Sequence, residues 1–343
     1  MPMPSIAIKS TGLVSSVGLS APSSCAAIRA KISNPSQTRF LAPDGGWIMA
    51  HQVAFDQPWR GTRKLVKMAA MAISECLAGL PRAEWGSVPL LVCVAEAERP
   101  GRMDGLDEEI LAGIQDEMGA RFSPRSAVFA CGRVGAAVAL ARARELILRE
   151  GVRMVLLAGA DSLLLWPSLS AYLKEDRLLT ESSSNGFMPG EAGAALLLGP
   201  CEGGKELCCT GIGIGKEGAP IASDEPLRAN GLTAAIEAAL REAGREIYDL
   251  DFRITDLSGE QYYFKEAALA LARIMRKRKE SFDIWHPAES IGETGAAAGL
   301  AALAVAFAAC RKGYGDGPNI LLHLANDDGE RAALILRYGD GHG

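Results

Sequence analysis

The chain has 343 residues, 48% hydrophobic, 22% charged and 6% aromatic, with 38 glycines against 17 prolines and a formal charge of −5. This composition excludes intrinsic disorder and leaves room for one large domain or two ordinary ones. No long basic run gives the footprint of nucleic-acid binding, and no uninterrupted apolar run approaches the length of a membrane span.

In chain order, apolar runs alternate with helical patterns. Residues 5–11 read as a strand, 65–77 as a helix and 88–94 (VPLLVCV) as a buried strand. An acidic helix is expected near 107–118, a strand at 126–130, a long helix over 134–149, and buried strands at 153–158 and 192–198. The second half repeats the scheme: strand 207–214, helix 231–242, strand 252–257, helix 262–276, strand 282–285, helix 294–309, and a hairpin of 319–323 with 331–336. Similar element order in residues 1–204 and 205–343 predicts a duplicated α/β fold, although the two halves are not visibly alike in sequence.

Three other features narrow the function. The opening MPMPSIAIKS lacks the basic region, apolar core and cleavage site of a secretory signal, so a cytoplasmic protein is expected. The eight cysteines include no CxxC, which argues against a dense disulfide framework and a structural zinc site, and most read as small buried hydrophobes. The basic cluster RIMRKRK at 273–279 reads as the solvated end of a helix.

Four segments resemble the β-ketoacyl synthases, condensing enzymes of the thiolase fold. They are SIAIKSTGLVSSVG at the start, GVRMVLLAGADSL at 151–163, NGFMPGEAGAALLLG at 185–199 and SIGETGAAAGLAAL at 290–303. The resemblance implies two fused βαβαβαββ halves in five layers, α-β-α-β-α. It also implies a homodimer, or a heterodimer with a related synthase, and acyl carrier protein or acyl-CoA as further partners. No cofactor, metal, membrane or nucleic acid is implied, and the substrate-binding residues are unknown.

Synthases of this kind use a cysteine at a helix N-terminus and two histidines. Aligned on Gly135, the nucleophile position falls on Gly132; counted back without a gap from Gly151 and Gly159, it falls on Val134. Cys131 is the adjacent thiol. Ser258 stands for the first histidine, with Glu266 as the helix carboxylate, and Glu293 stands for the second; the usual upstream lysine aligns with Ala288. A hydroxyl cannot supply an imidazole's charge, and a carboxylate has the wrong sign for an oxyanion. At the phenylalanine gate stands Asp327, read as part of a hydrated polar hairpin turn.

The leading expectation is therefore a catalytically inactive, ketosynthase-like scaffold or partner subunit. The alternative is an active acyltransferase with Cys131 as nucleophile and His286 or Glu293 as base. A third reading, an acyl-CoA binding module, would draw a basic entrance from Arg121, Arg125 and Arg133. Of the other histidines, His323 alternates with leucines as a satisfied sheet residue, His51 follows a strand, and His342 falls in a fraying tail.

Overall fold

The computed structural model of the chain describes residues 5–339, so His342 and the first four residues of the opening segment lie outside them. The first half runs β1 (Ile6–Val14), α1 (Ala21–Arg29), β2 (Ser36–Leu41), β3 (Trp47–Ala50), α2 (Gly61–Cys76) and β4 (Leu90–Cys93). It continues with α3 (Leu106–Met118), β5 (Ala127–Phe129), α4 (Gly135–Leu148), β6 (Val155–Ser162), α5 (Trp166–Lys174) and β7 (Glu191–Pro200). The second half comprises β8 (Glu206–Lys216), α6 (Asn230–Ala243), β9 (Phe252–Thr255), α7 (Gln261–Ile274) and β10 (Ile284–Trp285). It closes with α8 (Ala288–Ile291), α9 (Ala298–Lys312), β11 (Asn319–Ala325) and β12 (Glu330–Gly339). Each expected strand and helix is present; α1, the β2–β3 hairpin, α5 and α8 were not expected.

Strand order explains how one chain makes five layers. The sequence β5-β4-β6-β7-β1 in the first half is matched by β10-β9-β11-β12-β8 in the second. Numbered within its own half, each run is third, second, fourth, fifth, first. The two runs join where Ile6, Ala7 and Ile8 of β1 pair antiparallel with Cys209, Cys208 and Leu207 of β8.

Period-two alternation then sorts the side chains. Val155 and Leu157 of β6, with Ala194, Leu196 and Leu198 of β7, face a central core made by α4 and α9. Leu156 and Ala158, with Ala195 and Leu197, face α2 and α3 on the outside. In the second half Ile320 and Leu322 of β11 face the central helices, and Leu321 faces α6 and α7. The layers are thus α-β-α-β-α, as the resemblance implied.

Close approach of α6 to β8 depends on Gly211, Gly213 and Gly215. A Cβ on Gly213 would overlap the Ala235 carbonyl, so these glycines let the helix lie down on the strand. The expectation that no apolar run approaches membrane length needs correction. Residues Gly295–Lys312 are long and apolar enough to cross a membrane, but 78% of that stretch is buried inside the protein, as the helix between the two sheet halves.

Of the cysteines, five of the six free thiols are buried, and Cys201 and Cys208 form one disulfide across the β7–β8 link. The 273–279 cluster is largely exposed past the end of α7, as expected.

Candidate functional site

Both central helices begin with matching turns. Gly132–Val134 leads into α4 and Gly295–Ala297 into α9, each as a short 3-10 turn whose first glycine has φ of +53°. This left-handed backbone is where glycine is at home. The turn before α4 is held by Asn326, whose amide donates to the Cys131 carbonyl (2.9 Å) and whose oxygen accepts from Val134 N–H (3.3 Å). The turn before α9 is held by carboxylates: Glu293 accepts from Gly295 N–H (2.9 Å) and Asp161 from Ala296 N–H (2.8 Å). Negative groups belong at a helix N-terminus, where unpaired N–H groups and the macrodipole favour them.

The space between the two helix starts is occupied by Arg133. Its side chain is 8% exposed and donates to Glu293 (3.1 Å), Tyr263 (2.9 Å) and Asp327 (2.5 Å), with Asp256 at 3.8 Å. Arg177 completes the cluster, forking onto Glu260 (2.7 and 3.0 Å) and Asp327 (2.7 and 3.1 Å). Ser258 donates to the same Glu293 oxygen that Arg133 contacts, at 2.8 Å. Alongside, Arg99 bridges Asp161 and Glu96.

Electrostatics follow from this arrangement. Burial alone would raise the Asp327 carboxyl, but Arg133 and Arg177 outweigh it and hold the group well below the usual carboxylate range. Asp256 goes the other way: burial lifts it to about 6 against the pull of Arg133. Burial also raises Tyr263, so its phenol stays protonated as a donor to Asp327. The cavity left beside Arg133, Arg177, Tyr172 and Glu293 is only about 10 Å³, space for about one water.

The sequence-predicted residues are only partly brought together. Ser258 and Glu293 are in hydrogen-bond contact, and Gly132 and Val134 form the turn beneath them. Cys131 sits at the same turn, yet its thiol has no hydrogen-bond partner among the described residues. Burial raises it, and Glu330 and Asp328 push it further up. His286 is elsewhere, with Nε2 3.1 Å from Glu289 on the wall of another cavity. Glu266 is buried against Arg331, itself fully buried. His323 contacts Thr255 (3.3 Å) within the sheet, and His51 is buried beside Ser16.

Asp327 lies in the turn between β11 and β12, as expected, and its side chain, 26% exposed, is held there by two guanidinium groups and a phenol. One expectation is overturned. Arg133 is no part of a basic entrance, because it is buried against three carboxylates; Arg121 is exposed and paired with Asp116. Sequence reasoning named Arg133 only for a basic entrance, and missed Arg177, Asp256 and Tyr263 as members of the site. A signal existed in Gly132-Arg133-Val134-Gly135-Ala136, where one arginine stands among small and apolar residues leading into a core helix.

No family sequence model matches the chain, and no curated protein does. Solved structures do. The ishigamide ketosynthase/chain length factor superposes with a TM-score of 0.81 at 17% identity, over 97% of this chain and 99% of that one. This chain has the thiolase-type fold of the ketosynthases. A β-ketoacyl synthase from Burkholderia phymatum superposes on this chain at 0.75 and 16% identity, covering 98% of this chain and 100% of that one. A ketosynthase in complex with its chain length factor from Xenorhabdus doucetiae gives 0.72 and 13%, covering 98% of each chain. At such identities the likeness is one of fold, and this chain carries its own set of side chains at the centre.

Proposed function

We propose that this ketosynthase-like chain is a non-catalytic partner subunit, built from two fused halves at 1–204 and 205–343. The observation that carries this reading is the Arg133 side chain, which fills the space between the starts of the two central helices and engages Glu293, Tyr263 and Asp327. An acyl thioester needs a pocket of hundreds of cubic ångströms and a donor-lined oxyanion position. Here a cavity of about 10 Å³ is bordered by carboxylates already bound to arginines. Ser258 and Glu293 act as structural groups that fix Arg133 and cap the approach to α9. Cys131, Gly132 and Val134 act as the turn that starts α4.

Pairing with a second copy or a related synthase is supported by β5. It is the last strand of its half-sheet, and Ala127, Val128 and Phe129 are all partly exposed. Such an edge offers backbone groups to another strand. Among similar structures, one ketosynthase is described in complex with its chain length factor and another with an acyl-carrier protein, which supports the same kind of assembly here. The test is turnover. Purified chain is given an acyl thioester and a malonyl thioester, and carbon–carbon bond formation is followed by mass spectrometry. The reading expects no product above the protein-free rate, and product at a rate that depends on the chain would overturn it.

A further inference from the structure

Away from the central site, the far edge of the second half carries a cavity of about 520 Å³, within the size range of small-molecule sites. It lies between the end of α1, strand β10, α8 and the chain after α9. None of its lining residues belongs to the Arg133 cluster.

Its walls have a definite chemistry. Trp285 and Tyr314 present nearly parallel rings, 6.3 Å between centroids and 14° between planes. Trp285 is anchored from behind by Phe252 (4.7 Å) and by an indole hydrogen bond to Asp316 (3.1 Å), so its position is fixed. The Arg29 guanidinium lies over the Tyr314 ring at 4.3 Å. Arg29 and Lys31 line the opening, and neither has a carboxylate partner among the described residues. Of the lining carboxylates, Glu289 faces His286 at 3.1 Å, and Asp283 lies close enough to Arg253 to act on its charge. On the wall is Ser290, 2% exposed.

We propose that this cavity binds an aromatic carboxylate, its ring against Trp285 and Tyr314 and its carboxylate at Arg29 and Lys31. Aromatic walls favour a flat ring over an alkyl chain, through stacking beyond simple burial. Free cations at the mouth favour an anion, with the guanidinium able to grip a carboxylate by two N–H groups. The inference does not rest on the central site's lack of catalysis, and its test is separate from the turnover assay.

The test is calorimetric titration of the full chain with 2-naphthoate, set beside neutral 2-naphthamide and decanoate. The carboxylate should bind, with the amide, the decanoate and the Arg29→Ala/Lys31→Ala variant each weaker by about tenfold or more. Both Arg29 and Lys31 are exposed, so the double variant should melt with the parent, which separates lost binding from lost folding. No heat at about 1 mM 2-naphthoate, an amide that binds equally well, or a double variant with unchanged affinity would each overturn the assignment.

Discussion

Replacing Arg133 by methionine tests the central cluster most sharply. The substitution keeps much of the side-chain volume but leaves Glu293, Asp327 and Asp256 around an apolar group. Removing one partner from a buried ion cluster costs about 3–5 kcal/mol, because the remaining charges lose their compensation. With an unfolding entropy of about 0.7 kcal/mol/K for a chain this long, a loss near 4 kcal/mol lowers Tm by about 6 °C. The pH dependence adds a second readout. Asp256 already sits at about 6 with Arg133 present, and loses that pull in the variant. A carboxyl raised in the folded state makes the fold lose stability as pH climbs from the unfolded value through the folded one. The Tm deficit should therefore be larger at pH 8 than at pH 5. Differential scanning calorimetry across that range decides it, and Glu293→Gln in the same background should recover part of the loss. A variant that melts within a degree of the parent at every pH would refute the idea that Arg133 holds this cluster together.

Gly132→Ala should cost about 1–3 kcal/mol, since φ is +53° and a Cβ would press on Glu96 and Asn326. Gly79→Ala, where a Cβ meets nothing within 4 Å, is the thermal-melt control. Burial, with Arg253 nearby, depresses the His323 imidazole to about 3. Its unfolded form takes a proton near pH 6.5 while the folded form does not, so stability should fall as pH drops from about 6 towards 3. His323→Gln should flatten that acid limb in urea titrations, and an unchanged limb would count against the assignment.

Much of the fold was legible because strands buried on both faces read as unbroken apolar runs. VPLLVCV and RMVLLA needed no further context, and the long α4 and α9 patterns were equally plain. The missed elements lack such a signal: α1 is APSSCAAIR, short and weakly patterned, and β2 is a mostly exposed hairpin strand. The candidate site was legible in Ser258 and Glu293, which the sequence singled out and the structure brings into contact. It was not legible in what fills it. Arg133, Arg177, Tyr263 and Asp327 are up to 194 positions apart, and their charges cancel only once five layers bring four segments to one point. Asp327 sits in the turn that the local rule gave it, and only the tertiary fold brings its carboxylate to Arg133 and Arg177.

Acyl loading tests the central claim most directly. The chain is incubated with an acyl thioester at pH 7.5 and read by intact mass, with Cys131→Ala alongside. Burial and the charges of Glu330 and Asp328 keep the Cys131 thiol protonated, and Arg133 fills the space an acyl chain would need. The account predicts a mass unchanged by incubation and the same for both proteins. A single acyl adduct that disappears in Cys131→Ala would contradict it.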